Sequence, residues 1–466
     1  MRSPCGRRRW RVALPLLAAA VIVLPLTWMW QASRLPAEYS VMDMGYVDYG
    51  GGPRPNGDTV DHAGMGHGSS GSGPVRSVAD LTADPNRAAD VRLDLTARQQ
   101  DLSIGGRMVP GYTLNGSSPG PTITATQGQL IEVRATNASV AAGIALHWHG
   151  IDVPNAMDGV AGVTQDAVPV GQSFTYRFVA DQAGTYWYHS HQVSHEQVVG
   201  GLFGALVVKP RQPLGAGVEV TAQAHTYGGI RTVNGRPGDL RVPARPGQQV
   251  RLRIVNTDNA PMPIWTTHVY RLLATDGSET RSPTPVKDQT LLLTAGGRAD
   301  LGVQMPAGGS PVRVQLSGGT AVILGPGDVP ARVQPSVQLD LLSYGSPAPL
   351  GFDPDAADRR FEYNIGRRPG FVKGRPGLWW TINGHLYPNV PMYVVRQGDV
   401  VRMSIRNSSG QVHPMHLHGH HAVVLSRNGV AATGSPWIVD SLNVANGESY
   451  EGPSPRSVDT GWVSCG

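Results

Sequence analysis

The sequence predicts an all-β protein made of several sandwich or barrel domains. Its 466 residues are too many for one ordinary core, and two to four domains are expected at this length. The 59 glycines and 38 prolines imply many turns. Sustained apolar spacing at i, i+3, i+4 and i+7 is scarce, whereas short alternating runs such as QLIEVRATN (129–137) lie between Gly, Pro and Asn. Such runs are typical of all-β folds.

The N-terminus, residues 1–30, predicts a hydrophobic helix. Five arginines precede the uncharged segment VALPLLAAAVIVLPLTWMW (12–30), which is long enough to span a bilayer with its start on the cytoplasmic side. We favour an uncleaved anchor, because no A-x-A site follows and Trp28 and Trp30 suit a membrane interface. The alternative is a cleaved secretory signal. Both interpretations predict that the bulk of the protein is exported, in the first case anchored in the cell membrane.

The charge gives no indication of nucleic-acid binding, and the positions of the two cysteines predict a fold without disulfides. The net charge of +5 is small and is nearly accounted for by the N-terminal arginines, so no nucleic-acid partner is predicted. Cys5 precedes the apolar segment and Cys465 is the penultimate residue. A disulfide across the membrane is impossible if the anchor stays, so the fold is expected to rely on core packing and metal.

Residues 31–86 predict a flexible, exposed linker, because they are rich in Gly, Pro, Ser and Asp and show no sustained periodicity. Thioether and imidazole groups in this segment suit Cu(I) and Cu(II). They belong to Met42, Met44, Met65, His62 and His67. A plain tether is the first interpretation and copper capture the second.

Three β segments of domain size follow, at 87–210, 216–345 and 352–466. Each contains one copy of a weak repeat: TQGQLIEVRATNAS (126–139), RPGQQVRLRIVNTD (245–258) and RQGDVVRMSIRNSS (396–409). Every copy has a Gly, alternating apolar positions with Arg between them, and then Asn. The same strand is therefore predicted once per domain.

Six histidines form three H-x-H pairs, HWHG (147–150), HSH (189–191) and HLH (416–418). Side chains alternate along a strand, so both imidazoles of a pair project to one side. The predicted ligands are His147, His149, His189, His191, His416 and His418. Six imidazoles exceed the four ligands of a single zinc ion, and an all-imidazole set favours copper over carboxylate-bridged iron or manganese. His413 lies at odd spacing from His416 and is expected to face a different site.

The segments HWHGIDVPNAMDGVAGVTQ, GTYWYHSHQ and HPMHLHGH resemble the first three of the four copper motifs of the multicopper oxidases. These are laccase-like enzymes, and the resemblance covers roughly residues 87–450. It implies three cupredoxin-like domains, each a Greek-key β-sandwich or barrel. It also implies a trinuclear copper cluster where the first and third domains meet.

The resemblance implies a role for each histidine of the motifs. His147 and His416 resemble type 2 copper ligands, and His413 resembles a ligand of the type 1 copper that takes electrons from the donor. The type 3 ligands are implied to be His149, His189, His191 and His418.

Asp158, in MDG, resembles the acid that assists proton delivery during oxygen reduction; its alternative is a turn residue before Gly159. Four further polar residues match no ligand position and are expected to flank the site, or else to hydrogen-bond its imidazoles. They are His195, Glu196, His420 and His421.

The sequence departs from the family at the fourth motif, H-C-H-x-x-x-H, which is absent. The chain ends GPSPRSVDTGWVSCG, and no histidine flanks Cys465. The type 1 site is then expected to retain only His413, and the third domain to be incomplete with an unpaired strand edge. The favoured explanation is a truncated or frame-shifted form of an active enzyme; the alternative is a genuine copper-binding relic.

The predicted function is a copper-dependent oxidase. It would couple one-electron oxidation of a phenolic, aromatic amine or metal-ion donor to the four-electron reduction of dioxygen to water, using type 1, type 2 and binuclear type 3 copper. The alternative is a non-catalytic protein that sequesters copper in the cell envelope. A copper nitrite reductase fits three domains and paired H-x-H motifs at both ends less well.

Overall fold

The structure is a computed structural model, and it confirms the all-β prediction together with a long apolar helix at the N-terminus. It describes residues 5–32, 45–53, 81–212, 217–317, 319–372, 374–396, 398–454 and 463–464. The methionines and histidines singled out in the linker, and Cys465, lie outside the described residues.

Helix α1 (Cys5–Ala32) contains the predicted apolar segment. Within it, Ala13–Gln31 is long and apolar enough to cross a membrane, and none of that stretch is buried. Trp28 is 68% exposed, as expected of a side chain that contacts lipid or the membrane–water interface. The helix thus has the features of a membrane span or an export signal.

Strand β1 (Tyr46–Asp48) departs from the linker prediction. It pairs in parallel with residues 391–393, far along the chain. The buried Arg359 donates from Nη1 to the Tyr49 carbonyl at 2.8 Å, and the Arg360 amide donates to the Gly50 carbonyl at 2.8 Å. Residues 45–53 are therefore part of the folded body, because backbone pairing and a buried guanidinium supply the order that their composition does not indicate.

The first core lies between two four-stranded sheets, β6-β11-β10-β8 and β5-β2-β7-β9. A third, two-stranded sheet, β3-β4, lies beside them. The elements are β2 (Val91–Gln99), β3 (Leu102–Ile104), β4 (Arg107–Val109), β5 (Tyr112–Leu114), β6 (Ile123–Thr126), β7 (Leu130–Asn137), β8 (Leu146–His149), a 3-10 turn (Asn155–Met157), β9 (Ser173–Val179), β10 (Gly184–Ser190), α2 (Ser194–Val199) and β11 (Phe203–Lys209). Trp148, between the first two paired histidines, is fully buried against Tyr176 and Phe178, so its histidine neighbours face the opposite side of β8.

The second core lies between a seven-stranded sheet, β14-β13-β12-β16-β21-β18-β19, and a five-stranded sheet, β15-β23-β22-β17-β20. Its strands are β12 (Val218–Tyr227), β13 (Ile230–Val233), β14 (Arg236–Pro237), β15 (Leu240–Val242), β16 (Gln249–Asn256), β17 (Met262–Thr266), β18 (Arg271–Thr275), β19 (Ser278–Glu279), β20 (Leu291–Leu293), β21 (Arg298–Gln304), β22 (Val312–Leu316) and β23 (Ala321–Leu324).

The third core is built on the six-stranded sheet β25-β24-β27-β34-β30-β31, with the smaller sheets β33-β28-β35 and β29-β32. Its strands are β24 (Arg359–Val372), β25 (Arg375–Ile382), β26 (Pro391–Tyr393), β27 (Val401–Asn407), β28 (His413–Leu417), β29 (Ala422–Val424), β30 (Ser426–Arg427), β31 (Val430–Ala431), β32 (Trp437–Val439), β33 (Ser441–Val444), β34 (Ser449–Ser454) and β35 (Val463–Ser464). An apolar cavity of about 330 Å³ lies inside it.

The three repeat segments form equivalent strands, β7, β16 and β27. Each pairs in parallel with the first long strand of its core and antiparallel with a later one. The repeated asparagine ends each strand, is buried, and donates from its side-chain amide to at least two backbone carbonyls of neighbouring segments. These residues are Asn137, Asn256 and Asn407. The repeat therefore encodes a strand together with the hydrogen bonds that close its end.

Candidate metal centre

The paired histidines lie where strands of the first and third cores end. Strands β8 and β10 are antiparallel, and their register places His147 opposite His189. His149 ends β8, and His191 follows the last residue of β10. The third pair is at the end of β28, with His416 inside the strand and His418 just beyond it.

The six rings converge into one cluster, the histidine cluster. The centroid of the His147 ring lies 5.3 Å from that of His189, 5.6 Å from His191, 5.4 Å from His416 and 4.0 Å from His418. The rings of His149 and His416 stack at 3.7 Å. The structure thus brings together imidazoles that lie more than 200 residues apart in the sequence.

Hydrogen bonds fix which nitrogen of His147 and His416 is available. His147 Nδ1 donates to the Asp158 carbonyl at 2.8 Å, and His416 Nδ1 donates to the Asp440 carbonyl at 3.0 Å. A carbonyl only accepts, so each Nδ1 carries the hydrogen and each Nε2 keeps its lone pair. These two Nε2 atoms lie 3.2 Å apart. Two facing lone pairs repel unless a cation lies between them, so the donor set fits a metal ion.

A second pair of ring nitrogens lies at a similar distance. His189 Nδ1 donates to the Ser190 carbonyl at 3.0 Å, which leaves the Nε2 lone pair. This Nε2 lies 3.3 Å from His149 Nδ1. The cluster therefore has a second position where a free imidazole lone pair faces another ring nitrogen, which fits more than one metal ion.

Burial keeps the imidazoles neutral. It lowers the pKa of all six, and neighbouring histidines lower those of His147, His149 and His189 further. A neutral imidazole is the form that binds a metal, because protonation occupies its lone pair. The site is therefore ready to accept metal at neutral pH.

Asp158 lies in the wall of the cluster and is buried. Its Oδ2 accepts from His418 Nδ1 at 3.0 Å. Its Oδ1 lies 3.1 Å from His147 Nδ1, whose hydrogen points to the Asp158 carbonyl instead, so Oδ1 has no donor among the described residues. Burial alone would raise the pKa of Asp158, but His147 and His418 hold it well below the usual value. The carboxylate is ionised and keeps a free acceptor beside the cluster.

His413 lies outside the histidine cluster, on the same strand as His416. The centroid of its ring lies 4.8 Å from that of Trp380. The Arg367 guanidinium lies 5.7 Å from the centroid of the same Trp380 ring. His413 Nε2 is buried without a hydrogen-bond partner among the described residues. Trp380 is 42% exposed, so it connects His413 to the surface.

The four flanking residues lie in different places. His421 Nδ1 lies 3.4 Å from Asp152 and its Nε2 lies 3.6 Å from Asp440, beside the cluster. His420 borders the cavity of the third core. His195 Nδ1 accepts from the Asn259 side-chain amide at 2.6 Å, and Glu196 accepts from Tyr112, both away from the cluster.

Sequence reasoning missed Arg298, Asp440 and Ser441. All three are buried against the cluster, and Asp440 pairs with Arg298 through both carboxylate oxygens. None belongs to an H-x-H motif. A signal was available in the glycine of HWHG: Gly150 has φ +87°, and a Cβ there would lie 2.0 Å from Arg298 Nη2. Such a glycine marks a close approach by another group.

Comparisons with known proteins match these regions. The multicopper oxidase family profiles match residues 96–213 and 358–460. Multicopper oxidase MmcO of Mycobacterium tuberculosis (strain ATCC 25618 / H37Rv) is 28% identical over 436 residues, which cover 78% of this chain and 82% of that protein. A copper resistance protein A homolog of Pseudomonas syringae pv. tomato (strain ATCC BAA-871 / DC3000) is 35% identical over 147 residues, which cover 31% of this chain and 24% of that protein.

Among solved structures, a multi-copper oxidase from Pseudomonas thermotolerans superposes with a TM-score of 0.66 at 27% identity, covering 81% of this chain and 96% of that one. The similarity thus spans the cores that hold the paired histidines. The chain belongs to the multicopper oxidase family, oxidoreductases that use oxygen and whose cofactor is copper.

Proposed function

We propose that this protein couples one-electron oxidation of a phenolic, aromatic amine or metal-ion donor to the reduction of dioxygen to water. The observation that carries the proposal is the histidine cluster, in which two cores present buried, neutral imidazoles with facing lone pairs. The overall reaction balances as O2 plus four electrons and four protons giving two water molecules. Four donor molecules each lose one electron per cycle.

The residues divide between copper positions as follows. His147 and His416 would hold type 2 copper, since their Nε2 atoms face each other at 3.2 Å. The type 3 pair would be held by His149, His189, His191 and His418. Copper supplies one-electron redox chemistry and a binding place for oxygen.

Asp158 would move protons to the cluster. Its Oδ1 is a buried acceptor without a donor among the described residues, so it can take up a proton and release it toward reduced oxygen. Its Oδ2 meanwhile keeps the His418 ring in place. The alternative role as a turn residue is compatible, because its amide also closes the 3-10 turn Asn155–Met157.

His413 would belong to the type 1 site on the donor side. Its ring lies between the protein interior and the partly exposed Trp380, and it projects away from the cluster. Donor electrons would enter here.

The protein would act outside the cytoplasm, held at the membrane by α1. This rests on the length, apolar character and exposure of Ala13–Gln31. Sequencing the N-terminus of the mature protein from a membrane fraction tests it; a mature chain starting after residue 32 would indicate a cleaved signal instead.

The experiment that tests the function uses the full chain loaded with copper. The protein is reduced without oxygen, its copper is counted, and oxygen uptake is then followed with an aromatic donor. We expect uptake in the wild type and at least a ~10-fold loss in Asp158→Asn, since positioned proton transfer contributes on the order of 100-fold or more. A copper-loaded wild type that consumes no oxygen with any donor contradicts the oxidase.

A non-catalytic copper-binding protein is the second candidate. It is favoured by the same histidine cluster, because buried, neutral imidazoles bind copper whether or not turnover follows. Stoichiometric copper without oxygen uptake and without intense blue absorption would support it.

A further inference from the structure

A buried arginine of the second core reaches the histidine cluster. Arg298, at the start of β21, is fully buried, and its Nη1 donates to Asp440 Oδ1 at 2.6 Å while Nη2 donates to Oδ2. Its Nε donates to the Thr185 carbonyl on β10 at 3.1 Å. Arg298 therefore binds groups from the first and third cores at once.

Ser441 continues this chain of hydrogen bonds to His149. The Asp440 carboxylate only accepts, so Ser441 Oγ donates to its Oδ1 at 2.9 Å. Because the only hydrogen of the hydroxyl is used in that bond, the same Oγ accepts from His149 Nε2, also at 2.9 Å. The hydrogen of the imidazole thus lies on Nε2, and Nδ1 keeps the lone pair that faces His189.

Asp276 and Gly150 hold this series of hydrogen-bonded residues in place. Asp276 accepts from the Arg298 amide at 2.9 Å through Oδ1 and from the Ser441 amide at 3.3 Å through Oδ2. Gly150 leaves the space that the guanidinium fills. A buried ion pair is favourable only when further hydrogen bonds satisfy both charges, and here they do.

We propose that Arg298, Asp440 and Ser441 are positioning residues that place the hydrogen of His149 on Nε2 and so make Nδ1 its metal-binding atom. The second core, which contributes none of the six histidines, would then control copper binding by a histidine of the first core. The inference rests on the proposed copper site. Hydrogen-bond partners of metal-binding imidazoles fix tautomer and orientation, and their loss typically costs about 10–100-fold in metal affinity.

The test replaces Ser441 by alanine and measures copper binding by competition with a chelator. We expect ~10-fold or weaker binding of the copper that depends on His149, since Asp440 Oδ1, 3.4 Å from Nε2, is a poorer acceptor than Oγ. The share of bound Cu(II) visible by electron paramagnetic resonance should rise, because an ion that loses its neighbour is no longer magnetically coupled. Ser441→Thr keeps the hydroxyl and should restore both values.

Ser435→Ala is the matched control. Ser435 is also buried and accepts from the Arg281 amide at 2.9 Å, so the variant loses one hydrogen bond between the second and third cores without touching a histidine. Its copper affinity should stay unchanged. Arg298→Lys keeps the charge but loses the paired hydrogen bonds, and it should weaken copper binding like Ser441→Ala.

The outcomes separate this inference from the function it rests on. A wild type that binds no copper overturns both. A wild type that binds copper, with a Ser441→Ala variant of equal affinity and equal resonance signal, overturns the positioning role alone. A loss of the same size in Ser435→Ala also overturns it, because the effect would then follow from general destabilisation between the cores.

Discussion

At the scale of single residues, the parity of a strand separates His413 from His416. The two lie three positions apart on β28, and their rings contact different groups: Trp380 for His413 and His147 for His416. We predict that His416→Ala lowers the amount of copper bound, whereas His413→Ala leaves binding by the cluster within about twofold, because a shared site is weakened by loss of any one ligand. Metal analysis after dialysis measures this. Equal copper loss in both variants would contradict the separation.

The buried histidines also make the metal-free protein sensitive to acid. Their pKa values are lowered from 6.5 in the folded state, so the unfolded chain binds more protons below that pH. Their contribution to stability should be constant above about pH 7 and fall as pH decreases below 6.5, by up to about 1.4 kcal/mol per pH unit for each histidine that stays neutral. Urea unfolding at several pH values measures this. The slope should be shallower in His416→Gln and unchanged in Asn259→Gln, an exposed position.

The six paired histidines could be predicted because the H-x-H spacing places both rings on one face of a strand whatever the rest of the fold does. Arg298 and Asp440 could not. Gly150 indicates a close approach by some group, but nothing near Arg298 or Asp440 in the sequence identifies that group. Their charges are neutralised by each other across 142 positions. Asp158 is an intermediate case, because the sequence MDG predicted its turn but not its contacts with His147 and His418.

At the scale of elements, β1 is the clearest departure from what the sequence indicated. Composition predicted a linker, whereas its order comes from backbone pairing with β26, a partner that composition does not reveal. By contrast, the repeated strands β7, β16 and β27 were predictable, because their apolar alternation and terminal asparagine are both local features.

Two glycines that follow β1 allow its docking to be tested. Gly50 and Gly51 have φ +56° and +75°, so alanine is strained at both. A Cβ at Gly50 would lie 2.7 Å from Phe361 Cε1, whereas nothing lies within 4 Å of one at Gly51. We predict that Gly51→Ala costs about 1 kcal/mol and Gly50→Ala about 1–3 kcal/mol more, because only the latter also overpacks the third core. Urea unfolding measures the difference, and equal costs would show that β1 does not dock there.

At the scale of the whole molecule, the histidine cluster joins the first and third cores, so copper should hold them together. A ligand that binds only the folded state stabilises it by about 2.7 kcal/mol at 100 times its Kd. We predict that copper raises the midpoint of thermal unfolding and that a chelator reverses the rise. In the His147→Ala variant the rise should be much smaller; a rise equal to that of the wild type would place copper elsewhere.

The overall architecture followed from strand patterns, but the approach of the first and third cores did not. It depends on contacts made by the second core. Arg298 donates to Thr185 of the first core and to Asp440 of the third, and the Gly296 carbonyl accepts from Trp187 of the first core at 3.0 Å. Such contacts join residues with no relation in the sequence. The family resemblance supplied this arrangement where residue patterns alone did not.

The docking of β1 on the third core also sets an order of events during synthesis. Tyr49 and its partner Arg359 lie 310 positions apart, so the N-terminal strand leaves the ribosome long before the strands that receive it are made. Contacts between such distant residues form late, because closing the intervening loop costs entropy. Each new chain therefore carries an unpaired strand beside its apolar helix until the third core folds. Proteases that remove unfinished proteins have this segment as a target throughout that interval.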